Sequence, residues 1–226
     1  MKKNRVQDFF NFFAPRLVAL VLALGLIVRI ALLLHPLTEV SFSFGEWMKI
    51  LLLGPVNDLC FCAIALIPAL LYYLTLSDAK YRKPWGYIME GGLVALTLYL
   101  LLFNDIVEEY GGPAPRIVNA LMVIITLCFS LKLFVPSVRK GWRKVTNILV
   151  TILYCCICIT IAAMELVFWS EFGVRFNFIA VDYLVYTHEV IGNIVESYPV
   201  VWMFLAVILA GVAVYMLMSR GKDISE

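Results

Sequence analysis

Long apolar runs alternate with short polar segments along this chain of 226 residues. A helix that crosses the hydrocarbon core of a bilayer needs about 20 mainly apolar residues. Val145–Met164 and Tyr198–Ser219 meet this requirement without a charged residue. Leu59–Leu76 is also uncharged, and Leu17–Leu34 contains a single charged residue. Each of these four runs therefore predicts one membrane-spanning helix.

Two further runs are shorter. Gly91–Phe103 and Ile117–Leu131 reach spanning length only when flanking polar residues are included. With them the chain has six predicted crossings, and the predicted fold class is an all-α, polytopic transmembrane helical bundle. An amphipathic segment on the outer surface of the membrane completes the predicted fold.

The composition supports a membrane protein. The chain is 63% hydrophobic with a mean hydropathy of +0.93, which is far too apolar for a soluble domain of this size. Its polar segments are short, and they leave no room for a water-soluble enzyme core.

The distribution of Lys and Arg predicts the orientation, because basic residues accumulate in cytoplasmic loops. With the N-terminus inside, the cytoplasmic segments hold most of the 18 basic residues. They are Lys2, Lys3, Arg5, Arg16, Lys80, Arg82, Lys83, Lys132, Arg139, Lys140, Arg143, Lys144, Arg220 and Lys222. Both termini are therefore expected in the cytoplasm. The small net charge of +2 comes from these loops, so no nucleic-acid partner is predicted.

These spans divide the chain into five parts. Residues 1–16 form a cytoplasmic interfacial segment, and residues 17–168 form a bundle of five spans. Residues 169–199 form the outer amphipathic segment, 200–219 the last span and 220–226 a cytoplasmic tail.

Charged residues within the spans are candidate functional groups, because charge at membrane depth is costly. Arg29 could extend toward the membrane surface or pair with a carboxylate. Asp58 in the second span is one possible partner, and Asp105 at the outer end of the third is another. Glu90 and Glu165 lie close enough to span ends to be solvated.

The segment 169–199 combines aromatic residues with a helical pattern of charge. Arg175, Asp182, Glu189 and Glu196 recur every seven residues, a spacing that keeps side chains on one helical face. An apolar stripe accompanies them, formed by Ile179, Tyr183, Tyr186, Val190 and Ile194. One or two helices lying flat on the outer leaflet are expected. They are either a connector packed on the bundle or a surface that binds a lipid headgroup or a partner domain. A guanidinium such as that of Arg175 suits a lipid phosphate.

The six cysteines all fall within apolar runs, so they predict packing residues instead of a disulfide framework. His188-Glu189 lacks the second histidine four residues on that a zinc-binding helix requires. No catalytic residues, metal ligands or cofactor are predicted on this chain.

The stretch EFGVRFNFIAVDYLVYTHEVIGNIVESYP, residues 171–199, resembles the lipoteichoic-acid-synthase-like, or phosphoglycerol-transferase, family of bacterial membrane proteins. NDLCF at Asn57–Phe61 is similar to the membrane region of the same family. The resemblance implies an N-terminal membrane domain followed by a sulfatase-fold domain outside the cytoplasmic membrane. That outer domain is expected to use a threonine nucleophile and a divalent metal, usually manganese. The resemblance implies that this domain transfers phosphoglycerol from phosphatidylglycerol.

The catalytic positions of that family have no counterpart here, since the sequence ends at Glu226. The expectation is either a fragment of a longer transferase or a stand-alone membrane module, inert by itself. Its role would be to anchor an outer catalytic domain and present a membrane lipid such as an anionic phospholipid. One alternative is a small carrier or channel in which Arg29, Asp58 and Asp105 line a wet path. Another is a structural subunit that docks a partner through 169–199.

Overall fold

The protein is described here by a computed structural model that covers residues 5–36, 38, 43–103, 113–175, 192 and 194–219. Throughout these ranges the regular structure is helical. The elements are α1 (Arg5–Asp8), a π-helical turn (Phe9–Phe13), α2 (Ala14–Leu33), α3 (Phe44–Thr75), a 3₁₀ turn (Asp78–Tyr81), α4 (Trp85–Leu102), α5 (Ala114–Phe134), α6 (Pro136–Phe172) and α7 (Val200–Ser219).

Six helical stretches in the described part of the chain are long and apolar enough to cross a membrane. They are Phe9–Leu33, Phe44–Tyr81, Trp85–Leu102, Ala114–Phe134, Pro136–Phe172 and Val200–Ser219. Large apolar side chains remain exposed along them, as expected for helices whose neighbours are lipid tails. The all-α prediction is confirmed, and the chain is a multi-pass membrane protein.

Helical backbone continues without a break from Arg5 to Leu33, so residue 16 does not mark a change of structure. Phe9 and Phe13 are each 2% exposed. Their rings lie 5.4 and 5.5 Å from that of Tyr73, and Phe13 also contacts Tyr154 at 5.5 Å. These two phenylalanines of the segment 1–16 therefore pack against protein.

The described residues form two compact units, the first comprising 5–73 and 147–219 and the second 74–146. Helix α6 contributes small or polar residues to the first unit. Tyr154 Oη donates to the carbonyl of Ala65 at 3.2 Å, and Tyr72 Oη donates to Asn147 at 2.9 Å. All six cysteines are free thiols. Three of them are buried, namely Cys62, Cys155 and Cys158.

In the second unit α4 and α5 are joined by a polar seam. The hydroxyls of Thr97 and Thr126 share a hydrogen bond of 2.8 Å. Ser130 donates to Glu90, whose second carboxylate oxygen is buried without a hydrogen-bond partner. Glu90 is therefore paired inside the unit, whereas its position in the sequence had predicted solvation.

Candidate functional site

An ion pair links α2 and α3 inside the first unit. Arg29 Nη1 lies 2.7 Å from Asp58 Oδ2, and the two side chains are 6% and 12% exposed. The sequence left open whether Arg29 extends toward the membrane surface or pairs with a carboxylate. In the structure it pairs with Asp58. Asp105, the other proposed partner, lies outside the described residues.

Two glycines make room for this pair. Gly25 stands four residues before Arg29 on α2, and Gly54 stands four residues before Asp58 on α3. A Cβ atom on Gly25 would lie 2.7 Å from Asp58 Cγ, and one on Gly54 would lie 2.6 Å from Arg29 Nη1. Each charged side chain thus occupies the space that the glycine of the facing helix leaves open.

A second ion pair in the first unit joins Arg175 to Glu165, through the guanidinium Nε and the carboxylate Oε1. Gly173 explains how the chain turns back on itself. Its φ of +65° lies in the left-handed region, which glycine adopts readily, and it ends α6. Arg175 is 44% exposed and Glu165 is 13% exposed. Glu165 therefore holds Arg175 near the helix end, although the sequence had predicted only a solvated carboxylate.

The carboxylates of both ion pairs line a cavity of about 110 Å³. Asp58 contributes from α3 and Glu165 from α6, with Gly25, Phe61 and Cys158 among the other lining residues. Arg29 Nε beside the first pair is buried and has no hydrogen-bond partner.

The remaining predicted residues are only partly described. Glu196 is exposed in the helical residues 194–197, while Asp182 and Glu189 lie outside the described part of the chain. Nearby, Tyr198 Oη donates to Glu171 Oε1 at 2.9 Å. This hydrogen bond raises the pKa of Tyr198, because loss of the phenolic proton would place two negative charges together. The tyrosine thereby connects the residues just before α7 to the last turn of α6.

Sequence reasoning missed Gly25, Gly54 and the role of Glu165. The glycines had a detectable signal, since each lies one helical turn before an intramembrane charge. Glu165 had none, because its partner Arg175 follows a chain reversal that sequence spacing does not reveal.

No protein-family profile, no characterised protein and no solved structure matches this chain. The site must therefore be interpreted from its own chemistry. It offers an exposed guanidinium fixed by a carboxylate and, next to a small cavity, a buried pair of opposite charges. The first arrangement suits an anionic headgroup at a membrane surface, and the second holds two helices together.

Proposed function

We propose that this protein is a membrane-anchoring and lipid-presenting module that is not catalytic by itself. In this proposal the bundle sits in a bacterial cytoplasmic membrane with the N-terminus inside. The end of α6 and the segment 169–199 then face the outer leaflet. The bias of basic residues toward the predicted inner loops supports this orientation.

The observation that carries the proposal is the placement of Arg175. The guanidinium has five N–H donors, and its contact with Glu165 is made through the Nε–H. With 44% of the side chain exposed just beyond a spanning helix, it can also bind a phosphate. An arginine that a carboxylate already positions loses less freedom when it binds such a ligand.

Support for a transferase association is the resemblance of residues 171–199 and of Asn57–Phe61 to phosphoglycerol transferases. We accordingly propose that the lipid is anionic and that a catalytic domain on the outer side uses it. The manganese expected for such a domain is not assigned to this chain. Within the described residues no group of three His, Cys, Asp or Glu side chains is placed to hold a metal ion.

Replacement of Arg175 by alanine should weaken the binding of an anionic phospholipid about tenfold, because a charge-assisted contact to phosphate is lost. A photoreactive amino acid at Phe172, which is exposed, would report lipid capture next to Arg175. The full chain would be placed in nanodiscs that contain phosphatidylglycerol or only phosphatidylcholine. Wild-type protein should capture phosphatidylglycerol preferentially.

Arg116→Ala is the matched control, because Arg116 is an exposed arginine in another segment predicted to be outside. It should leave capture at Phe172 unchanged. Equal capture of the two lipids by the wild type, or equal loss in Arg116→Ala and Arg175→Ala, would contradict the proposal.

A carrier is the second candidate, and the cavity between Asp58 and Glu165 favours it. Carriers commonly place ionisable groups beside a wet cavity within the membrane. If the protein is a carrier, proteoliposomes that contain it should take up cations or protons, and Asp58→Asn should abolish this uptake. The anchoring proposal instead expects no uptake above that of empty liposomes, for the wild type and the variant alike.

A further inference from the structure

The second unit contains a cluster of basic side chains around a single carboxylate, formed by Asp78, Lys80, Lys132, Arg139 and Arg143. Arg143 Nη2 lies 2.6 Å from Asp78 Oδ1, and Arg143 Nη1 lies 3.4 Å from Oδ2. Arg139 Nε lies 3.3 Å from the same Oδ1. One carboxylate therefore aligns two guanidinium groups.

Aromatic and backbone contacts position Arg139 further and also hold the two lysines of this cluster. The Arg139 guanidinium lies 4.9 Å from the ring centroid of Tyr81, and Lys132 Nζ lies 4.1 Å from that of Trp142. Lys80 Nζ donates to the carbonyl of Thr75 at 2.8 Å. The cluster thus has four cationic side chains and one carboxylate, which contacts the two arginines, so it has an excess of positive charge.

The length of α6 and the distribution of charge along it indicate that this cluster lies at the membrane surface. With 37 residues, α6 is about 55 Å long at 1.5 Å per residue, whereas the hydrocarbon core is about 30 Å thick. The first residues of the helix are basic, and the uncharged run begins only at Val145. Trp142, an aromatic residue typical of the headgroup region, stands at this change.

The surroundings of the cluster distinguish a lipid from a soluble phosphate. Phe134, Val138 and Trp142 are exposed apolar residues in or next to the same chain segment. A soluble anion makes no apolar contact with these residues, whereas the acyl chains and glycerol of a phospholipid can pack against them. Guanidinium groups held in a fork match the oxygens of a phosphodiester.

We propose that Arg139, Arg143, Lys80 and Lys132 form a binding site for the phosphate of an anionic phospholipid. The residues are separate from those around Arg175, and the inference does not depend on the proposed function. Asp78 positions the two arginines and leaves part of their hydrogen-bonding capacity for the phosphate. It is itself 46% exposed, so a headgroup can approach the cluster from its side.

The test measures retention of phosphatidylglycerol on the detergent-solubilised full chain by native mass spectrometry, with phosphatidylcholine as the neutral lipid. Every protein in the test carries Arg175→Ala, so that the other proposed phosphate contact does not add to the signal. Arg139→Ala should weaken retention of phosphatidylglycerol about tenfold. Arg139→Lys keeps the charge but loses the fork, and it should recover only part of that loss. If Arg139→Ala does not fold, Lys80→Ala provides a second measurement, because it removes another cation of the proposed site and should also weaken retention.

The matched control is the double variant Lys140→Ala/Lys144→Ala, which removes two exposed charges from the same segment. It should reduce retention less than Arg139→Ala does. If the control loses as much retention of phosphatidylglycerol as Arg139→Ala or more, the lipid is held by general surface charge and the proposal is overturned. Displacement of the lipid by equimolar glycerol phosphate or inorganic phosphate would overturn it as well, because the site would then bind a soluble anion.

Discussion

Asp58→Leu should lower the free energy of unfolding by about 3–5 kcal/mol, because it leaves the buried guanidinium of Arg29 without its counter-charge. Arg29 is only 6% exposed, so the uncompensated charge cannot be rehydrated without a rearrangement of α2 against α3. The measurement is an unfolding titration of the purified protein from mild into denaturing detergent. The helical signal in circular dichroism reports the folded fraction.

The double variant Arg29→Met/Asp58→Leu separates pairing from charge. Replacement of both members of a buried pair by apolar residues is often neutral or stabilising, so the double variant should be more stable than either single one. Asn57→Ala is the neighbouring control, since Asn57 is exposed and should change stability little. A double variant as unstable as Asp58→Leu would show that the two residues act separately.

Gly25→Ala should lower the free energy of unfolding by about 1–3 kcal/mol, the range typical of overpacking. The sign is informative, because alanine favours a helix over glycine by about 0.5–1 kcal/mol when nothing else changes. Here the added Cβ would lie 2.7 Å from Asp58 Cγ and would push the carboxylate away from Arg29. The same detergent titration measures the effect.

Gly91→Ala is the control for helix propensity, because a Cβ on Gly91 would meet nothing within 4 Å. It should leave stability unchanged or raise it slightly. A double-mutant cycle completes the test. In the Asp58→Ala background the obstructed carboxylate is gone, so Gly25→Ala should cost almost nothing there. The same loss in both backgrounds would mean that the glycine serves another contact.

The spans could be predicted from the sequence because hydrocarbon imposes a simple requirement on each of them. Every backbone polar group must be satisfied within the segment, so an uncharged run of sufficient length has to be helical. This holds for Val145–Met164, which lies inside α6. The shorter runs Gly91–Phe103 and Ile117–Leu131 coincide with most of α4 and α5, and flanking residues extend both helices to spanning length.

The ends of the helices and the partners in the ion pairs are harder to predict from the sequence. Hydropathy does not indicate that α6 begins at Pro136 and continues to Phe172, because the charged residues at both ends of this helix are typical of loops. Asp58 was a candidate partner for Arg29 because both are charges within apolar runs. The pairing of Arg175 with Glu165 depends on the reversal at Gly173, and hydropathy carries no information on such a reversal.

The pairing of Arg29 with Asp58 has a consequence for how the protein enters the membrane. A charged residue in a helix that inserts alone costs up to about 2.5–3.5 kcal/mol at the bilayer centre. Both α2 and α3 contain such a residue, and each residue neutralises the other. The two helices are therefore expected to leave the translocon together as a helical hairpin. Synthesis of α2 alone would yield a segment that inserts less completely than its hydropathy suggests.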